Sequence, residues 1–376
     1  MRLAVDATAL LGPRTGVGVV TTELLARLGA EPDLEVVAFG VTWRGRRDLA
    51  DLLPAGVRAA RRPMAARPLR EIWSRADRPP IEWWTGPVDV VHGPNYVVPP
   101  ARMAAQLVSV HDLTFVHHPE LCTADTLAYP GLIRRALRRG ATIHTGSSFV
   151  AAEIADVFGI DATDVVVVPY GATRLAPPGP GTDATAGRER AGVDRFVLAL
   201  GTVEPRKDLP TLVRAFEAIA DAQPDLHLVI AGPDGWGAAA LDAALAASPC
   251  RDRIRRLGWV PDDDAAALLR GAAVYAYPSV YEGFGLPPLE AMAAGTPAVT
   301  STAGSLPEVV GDAALTFPPG DADALAEALR RVLDDSGLAD ELRERGRQRA
   351  AGFTWDRTAS GLVATYRRLA ALHSPV

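Results

Sequence analysis

Two hydrophobic periodicities alternate along the chain. Short apolar runs bounded by glycine, proline or polar turn residues are separated by longer stretches in which apolar residues recur every three or four positions. The short runs are typical of parallel strands buried on both faces, and the longer stretches are typical of helices that cover such a sheet. This alternation predicts an α/β protein.

The predicted strands fall into two series, each of which indicates one doubly wound parallel sheet. The first series comprises Leu3–Asp6, Glu35–Phe39, Asp89–His92, Gln106–His111, Thr142–Thr145 and Val165–Pro169. The second comprises Phe196–Leu200, Leu226–Ala231, Val274–Tyr277 and Ala298–Thr300. The apolar stripes of two intervening helices are formed by Leu212, Val213, Phe216 and Ile219, and by Leu325, Leu329, Val332 and Leu333 behind the cap candidate Asp321.

A segment rich in proline and glycine separates the two series. Leu175–Gly187 reads LAPPGPGTDATAG, which supports neither periodicity and is typical of an exposed linker. We therefore predict an N-terminal domain over 1–175, a linker over 176–187 and a C-terminal domain over 188–352. Residues 353–376 are predicted to form an amphipathic helix, whose apolar face must pack against another part of the chain. We expect this helix to cross back to the N-terminal domain.

The composition of the chain argues against several classes of protein. The 376 residues suffice for two hydrophobic cores, and the formal net charge of −6 argues against nucleic acid as a partner. Two cysteines, Cys122 and Cys250, form neither a zinc motif nor a disulfide framework. We find no signal-type segment and no membrane-spanning run, so the predicted location is cytoplasmic. No spacing of histidines and acidic residues suggests a metal site.

The strongest motif is YEGFGLPPLEAMAAGTP, from Tyr281 to Pro297, directly after a predicted strand. Its glycines let backbone approach a ligand, and the N-terminus of the following helix offers donors to phosphate or sugar oxygens. Glu290 lies in an otherwise apolar helix, where a carboxylate needs a donor partner such as a ribose diol. A structural ion pair is the alternative for either Glu282 or Glu290 alone, whereas the two together across a glycine-rich turn favour a function.

Two further motifs follow predicted strands. GTVEPRKD, from Gly201 to Asp208, places Arg206 and Lys207 where a diphosphate would be the natural counter-charge, although a solvated basic turn is the alternative. SVHDL, from Ser109, places His111 at a strand end, where a lone histidine is more often structural.

These motifs together resemble glycosyltransferase family 4, whose members are retaining enzymes of the GT-B fold that transfer a sugar from a nucleotide donor. The resemblance extends over most of the chain and is strongest from Phe196 to Gly320. It implies two Rossmann-like domains facing a central cleft, with the acceptor bound by the N-terminal domain and the nucleotide sugar by the C-terminal domain. No cofactor and no metal are implied besides the nucleotide-sugar substrate.

The resemblance also implies roles for individual residues. Glu282 would contact donor-sugar hydroxyls and Glu290 the ribose, while His111 would reach the donor sugar from the N-terminal domain. Arg206 and Lys207 would bind the diphosphate and stabilise the departing nucleotide. The predicted catalytic residues are thus His111, Arg206, Lys207 and Glu282.

The remaining predicted contacts are weaker. The predicted donor-binding residues are Gly16, Gly18, Thr202, Trp259, Val260, Gly283, Phe284, Gly285, Leu286 and Glu290, and Asp112 is a candidate for the acceptor. The glycines of 12–18 would form a flexible backbone wall, and Trp259 with Val260 would line the base pocket. Many relatives carry an arginine where this chain has Thr202, so Arg206 is expected to take a larger share of diphosphate binding.

The expected function is therefore retaining transfer of a hexose, with mannose from GDP-mannose as the first choice, to a glycan, a lipid-linked acceptor or a small molecule. Biosynthesis of a cell-envelope polysaccharide or glycolipid is the leading context. The alternatives are a natural-product glycosyltransferase, another GT-B activity such as a hydrolase, and a non-catalytic module that binds sugar nucleotides. The last is disfavoured because a mere binder does not need the whole set of charged residues and His111.

A basic stretch from Arg58 to Arg78 stands out in this acidic chain. Seven arginines and two acidic residues give it a net charge of +5, and Leu69, Ile72, Trp73, Trp83 and Trp84 lie in or just beyond it. A solvated surface is the simpler interpretation. The sharper one is a patch that docks on anionic lipid at the inner face of the plasma membrane, with Trp73 as an apolar anchor.

Overall fold

The computed structural model describes residues 1–12, 16–43, 45–60, 62–172, 179 and 181–373. The chain divides into two compact units. The N-terminal unit comprises Met1–Gly171 and Trp355–Val376, and the C-terminal unit comprises Ala172–Thr354. Each unit contains one parallel sheet, which confirms the predicted α/β class with two doubly wound sheets.

The N-terminal unit contains a sheet of seven strands in its described part. The strands are β1 (Arg2–Asp6), β2 (Glu35–Phe39), β3 (Val57–Ala59), β4 (Val90–Gly93), β5 (Ala105–Ser109), β6 (Thr142–Thr145) and β7 (Val165–Val167), in the spatial order β3-β2-β1-β4-β5-β6-β7. The helices are α1 (Gly16–Leu28), α2 (Arg46–Leu52), α3 (Ala66–Arg75), α4 (Glu82–Thr85), α5 (Thr114–His117), α6 (Tyr129–Arg138) and α7 (Ser148–Phe158), with short 3-10 turns at Thr8–Leu11, Pro119–Leu121, Thr126–Ala128 and Ala162–Asp164. The strand order reverses between β1 and β4, and ligands of such sheets bind beyond the carboxyl ends of the strands at this point.

The C-terminal unit repeats this plan with six strands in its described part. The strands are β8 (Arg195–Leu200), β9 (Leu226–Ala231), β10 (Ile254–Gly258), β11 (Val274–Tyr277), β12 (Ala298–Ser301) and β13 (Ala314–Phe317), in the order β10-β9-β8-β11-β12-β13. The helices are α8 (Ala184–Ala191), α9 (Leu209–Ala220), α10 (Ala238–Ala247), α11 (Asp262–Gly271), α12 (Leu286–Ala293), α13 (Leu306–Val310), α14 (Ala322–Asp334) and α15 (Ser336–Ala351), with 3-10 turns at Pro205–Lys207 and Arg251–Arg253. The order reverses between β8 and β11.

The last helix, α16 (Trp355–His373), belongs to the N-terminal unit. Its apolar face, which includes Leu362 and Leu369, packs in one core cluster with Leu3 of β1 and Leu24 of α1. Gly361 allows a close approach, because a Cβ there would stand 2.9 Å from Val168 Cγ1. None of the described helices is long and apolar enough to cross a bilayer.

Three strands are missing from the sequence-based prediction, and all three are edge strands: β3, β10 and β13. An edge strand is covered less completely than a central one, so it need not be a continuous apolar run. No residue of β3 or β10 is fully buried, and the two strands carry arginines at Arg58, Arg255 and Arg256. A search for apolar runs therefore misses most strands that are covered incompletely, although it did detect the edge strand β7.

The predicted linker is too long at its carboxyl end. Residues 184–187 form the first turn of α8, whose N-terminus is capped by the Asp183 side chain accepting from Ala186 N at 2.9 Å. Gly187 was assigned to the linker because glycine is common in flexible segments, but it lies in α8. Glycine is needed there for close helix packing, because a Cβ would overlap the backbone of Ala267 in α11. The division between the units falls at 171/172, and residues 173–178 and 180 lie outside the described residues.

Candidate functional site

In the C-terminal unit the loops that follow β8 and β11 meet at the reversal of strand order. The backbone N–H of Val280 donates to the Arg206 carbonyl at 2.9 Å, which ties the two loops together. The 3-10 turn Pro205–Lys207 ends at Asp208, which takes a left-handed conformation with φ of 44°. Thr211 Oγ1 donates to Asp208 Oδ2 at 2.5 Å as α9 begins. This turn presents Arg206 and Lys207 at the carboxyl end of the sheet.

Four side chains form the group that we call the Glu282 cluster: Arg206, Lys207, Tyr277 and Glu282. Glu282 Oε1 lies 2.5 Å from Arg206 Nη1 and 2.7 Å from Lys207 Nζ, and it accepts from the Tyr277 hydroxyl at 2.8 Å. Arg206 also donates to the Tyr281 carbonyl at 3.0 Å and pairs with Glu204 at 3.3 Å. Tyr277 and Glu282 are buried, whereas 18% of the Arg206 side chain and 13% of the Lys207 side chain are exposed. The structure thus brings three of the predicted catalytic residues together.

The cluster keeps its charges despite burial. Burial alone would raise the pKa of Glu282, but the charges of Arg206 and Lys207 outweigh it and lower that pKa to about 2. Burial lowers the pKa of Lys207, which the neighbouring Glu282 counteracts. At neutral pH the site therefore combines a carboxylate with two fixed cations, which is suited to an anionic ligand that also carries hydroxyl groups.

The backbone of Glu282 is held by residues that the sequence interpretation missed. Ser305 donates to the Glu282 carbonyl through its N–H at 2.9 Å and through its hydroxyl at 3.1 Å. Gly304 has φ of +59°, and a Cβ there would overlap the same carbonyl. A glycine and a serine just beyond β12, in TAGSLP, are the signal that could have revealed this support.

Lys207 carries a further signal that was missed. It is the only lysine in a chain whose other 38 basic residues are arginines. A chain that uses arginine everywhere else but retains lysine at one buried position indicates that arginine does not serve there.

The second glutamate of the motif lies on α12, which begins after Gly285 at φ of +113°. At this φ any L side chain would be strained, so the turn favours glycine. Glu290 is half-buried. The pKa of Tyr275 is raised first by burial and then by the charges of Glu290 and Glu282, so both carboxylates lie within electrostatic range of this β11 residue.

The remaining predicted donor contacts of the C-terminal unit occupy the same edge of the sheet. Thr202 follows β8, Gly283 and Leu286 flank the glycine-rich turn, and Trp259 with Val260 follows β10. The ring of Phe284 is buried edge-on against Phe353, with centroids 5.9 Å apart. A ligand contact of Phe284 would therefore be made by its backbone.

His111 lies in the N-terminal unit, just beyond β5. Its Nε2 lies 2.7 Å from the Pro94 carbonyl, which can only accept, so Nε2 carries the proton and Nδ1 accepts from the Tyr170 hydroxyl at 2.8 Å. Burial lowers the pKa of His111, which keeps the ring neutral. Asp112 Oδ1 accepts from Thr114 N at 2.9 Å and so supports the start of α5.

The glycine loop of the N-terminal unit differs from its prediction. Gly16 and Gly18 belong to the first turns of α1 and therefore do not form a flexible wall. Residues 13–15 of the predicted loop lie outside the described residues.

The basic stretch also differs from its prediction. Trp73 is only 4% exposed and donates through Nε1 to the Pro79 carbonyl at 3.0 Å, so it belongs to the core and is not a surface anchor. The exposed apolar side chains nearby are Ile72, at 43%, and Trp83, at 63%. Arg75 pairs with Glu71 at 2.5 Å. Arg61 and the side chains of Arg67 and Arg70 lie outside the described residues.

Within the described residues, no group of three or more histidine, cysteine or acidic side chains is placed to hold a metal ion.

Comparison with known proteins gives two family matches. Residues 15–171 match the family model described as "Glycosyl transferase 4-like domain", and residues 185–349 match the model "Glycosyl transferases group 1". The chain is 31% identical over 284 residues to an O-antigen chain mannosyltransferase B of Escherichia coli, covering 74% of each chain. It is 34% identical over 241 residues to an MMP alpha-(1->4)-mannosyltransferase of Mycolicibacterium hassiacum, covering 62% of this chain and 56% of that one.

Solved structures share the fold across the whole chain. A sucrose-phosphate synthase of Thermosynechococcus elongatus superposes with a TM-score of 0.77 at 20% identity and covers 99% of both chains. The Anabaena protein HepE in complex with UDP-glucose superposes with a TM-score of 0.73 at 16% identity, covering 98% of this chain and 100% of that one.

Proposed function

Because the chain belongs to the family 4-like glycosyltransferases of the GT-B fold and is a hexosyltransferase, we propose that it transfers mannose, with retention of configuration, from a nucleotide-diphosphate donor to a glycan acceptor. The family and the fold predicted from the motifs are confirmed. The observation that carries the proposal is the Glu282 cluster, which combines two buried cations with a carboxylate at the reversal of the sheet.

The residues of the Glu282 cluster have different roles during transfer in this proposal. Arg206 and Lys207 bind the donor diphosphate and stabilise the negative charge that grows on it as the bond to the sugar breaks. Glu282 accepts from hydroxyl groups of the sugar and orients it. Because its carboxylate already has two cationic partners, it remains ionised in the site. Most of the rate enhancement then comes from orientation and preorganised charge.

Retention follows from a reaction on one face of the sugar. The departing diphosphate, held by Arg206 and Lys207, accepts the proton of the attacking acceptor hydroxyl as the new bond forms. His111 enters this scheme as a neutral ring, since its proton is committed to the Pro94 carbonyl. Its role is therefore to shape the sugar site rather than to exchange a proton.

The choice of mannose rests on the relatives. Both curated relatives described above are named mannosyltransferases, and the name of the first refers to an O-antigen chain. A glycan or lipid-linked glycan acceptor in cell-envelope biosynthesis is therefore favoured over a small natural product. We propose GDP-mannose as the donor.

A metal ion is not required by this proposal. The two cations of the Glu282 cluster occupy the place that a divalent ion takes in metal-dependent transferases, where it neutralises the leaving diphosphate. Transfer is thus expected to persist in excess EDTA. Loss of activity that magnesium or manganese restores would contradict this part of the proposal.

The test is a donor screen with purified protein. GDP-mannose, UDP-glucose and TDP-glucose are incubated with mannose-terminated oligosaccharides, nucleotide release is measured, and the linkage of the product is read by NMR. The expected product is an α-mannoside from the α-linked donor, and a β-mannoside would contradict retention. Tight nucleotide binding without transfer to any acceptor would favour the non-catalytic binding module.

A further inference from the structure

Tyr277 lies between two of the predicted catalytic side chains. It is the last residue of β11 and is buried at 3% exposure. Lys207 Nζ makes a short hydrogen bond to its hydroxyl, and that hydroxyl donates to Glu282 Oε1 at 2.8 Å. Lys207 Nζ also lies 4.4 Å from the centroid of the Tyr277 ring. The phenol therefore contacts the ammonium group with both its oxygen and its ring.

The directions of these hydrogen bonds are fixed by chemistry. An ammonium group can only donate and a carboxylate can only accept, so the Tyr277 hydroxyl must accept from Lys207 and donate to Glu282. The ammonium group has three N–H donors. One points to the Tyr277 oxygen and one to Glu282 Oε1, which leaves one for a ligand.

We propose that Tyr277 is a positioning residue, which holds the ammonium group of Lys207 between its hydroxyl and Glu282 so that the remaining N–H is aimed at the donor diphosphate. This inference rests on the proposed transfer reaction. It also explains why the only lysine of the chain is here. A guanidinium spreads its donors over a planar fork, whereas this site requires several donors from a single atom.

Removal of the hydroxyl should change Lys207 in a defined direction. The charged groups that face Lys207 are Glu282, Glu204 and Arg206, and burial already lowers the pKa of the lysine. The Tyr277 oxygen accepts from the charged form, so its loss lowers that pKa further. A hydrogen bond to a charged group is strong enough that its loss should lower the pKa measurably.

Tyr275 is a matched control. It lies two positions earlier on β11, is fully buried and stacks on Tyr277 with centroids 6.0 Å apart. Its hydroxyl donates to the Leu200 carbonyl at 3.3 Å. Tyr275→Phe therefore removes a buried hydroxyl from the same strand and leaves the partners of Lys207 in place.

The single lysine allows a direct measurement. Protein labelled with ¹³C-lysine gives one lysine side-chain NMR signal, whose titration reports the pKa of Lys207 in the wild type, Tyr277→Phe and Tyr275→Phe. We expect Tyr277→Phe to lower this pKa by about 1 or more and to reduce kcat about tenfold or more, with KM for the acceptor within about twofold. Tyr275→Phe should change both quantities little.

A second variant keeps the test decisive if Tyr277→Phe does not fold. Lys207→Arg retains the charge but not the single-atom geometry, and it should lose at least as much kcat as Tyr277→Phe. The proposal is overturned by a Tyr277→Phe protein with the lysine titration and kcat of the wild type, or by full activity of Lys207→Arg. Absence of transfer by the wild type would overturn the proposed function instead, whereas the titration would still decide whether Tyr277 holds Lys207.

Discussion

The two units bury polar side chains in opposite chemical states. In the N-terminal unit Tyr366 of α16, His92 of β4, Ser109 of β5 and His144 of β6 form a fully buried chain that ends at the Val168 carbonyl. In the C-terminal unit the Glu282 cluster buries two cations with a carboxylate.

Burial keeps both histidines of this chain neutral, and the Val168 carbonyl, which can only accept, then sets the direction of every hydrogen bond. The Val168 carbonyl accepts from His144 Nε2 at 3.2 Å, so His144 Nδ1 accepts from Ser109 at 2.8 Å. Ser109 in turn accepts from His92 Nε2 at 2.8 Å, and His92 Nδ1 accepts from the Tyr366 hydroxyl at 2.7 Å. Burial lowers the pKa of both histidines, that of His144 to about 4.

The difference indicates that buried polar side chains have a different role in each unit. A neutral chain in which every side-chain donor is used ties strands and α16 to one another. The charged cluster costs desolvation free energy, which is offset by its internal ion pairs, and it leaves a donor of Lys207 for an anion. In this protein the buried neutral chain stabilises the N-terminal unit, whereas the charged cluster is the site that we propose for the reaction.

The largest expected effect is on turnover when the charged cluster is broken. Lys207→Ala removes the cation that we propose stabilises the leaving diphosphate, so kcat should fall about 10²–10³-fold. Steady-state assays with a fixed acceptor measure it. Arg256→Ala, which removes a cation paired with Asp234 at the outer strand β10, should retain activity. An equal decrease of kcat in both variants would show that the Glu282 cluster does not contribute to turnover more than a surface ion pair does.

The second effect concerns stability in acid, which we expect to differ between the two units. Below about pH 6.5 the unfolded chain takes up protons at His92 and His144 that the native N-terminal unit does not, so its stability falls as the pH decreases. Burial lowers the pKa of His144 from 6.5 to about 4, so this residue alone can reduce the free energy of unfolding by about 3 kcal/mol in acid. Glu282, with a native pKa of about 2, contributes stability that is retained until the pH falls below about 4.5.

Hydrogen exchange of the full-length chain between pH 7 and 5, corrected for intrinsic rates, measures this difference. Peptides of β4, β5 and β6 should lose protection before peptides of β11 and α12. His144→Gln should reduce the loss, whereas His118→Gln, at a half-buried position beside Glu120, should not. Simultaneous loss in both units would contradict the comparison.

A smaller effect is expected for nucleotide affinity. Glu290→Ala removes a half-buried acceptor from α12 without a change of the apolar face, so binding of the nucleoside diphosphate should weaken about tenfold with kcat less affected than in Lys207→Ala. Isothermal calorimetry measures it, with Glu327→Ala on the exposed side of α14 as the control. Unchanged affinity would show that the assignment of Glu290 to the ribose is wrong.

The smallest effect concerns the surface of the N-terminal unit. Exposed Trp83 and the basic stretch should give weak, salt-sensitive binding to vesicles that contain phosphatidylglycerol, since each surface cation contributes about 1 kcal/mol at most. Trp83→Ser with Arg75→Glu should abolish sedimentation with the vesicles. Trp236→Ser, which changes an exposed tryptophan of the C-terminal unit, should not. No sedimentation of the wild type in low salt would favour a soluble acceptor.

The central strands and the loops that follow them could be predicted from the sequence. A strand buried on both faces is a continuous apolar run, as in β9, so its position and the chemistry just beyond it are visible in the order of residues. The glycine-rich turn with Glu282 and the basic turn with Arg206 were found in this way. Edge strands β3, β10 and β13 were not, because incomplete cover allows arginine in β3 and β10, and β13 is a run of only four residues that includes the exposed Thr316.

The contacts that define the site depended on tertiary structure. Lys207 and Glu282 are 75 positions apart, and Tyr277 joins them only because β8 and β11 are neighbours in the sheet. Trp73 resembled a surface anchor among arginines until the fold placed it in the core. Local sequence thus determined which residue types stand at each strand end, since side-chain periodicity follows from burial. Which of them meet, and in which state of charge, was decided by packing, because desolvation and the distance to a counter-ion are properties of the folded chain.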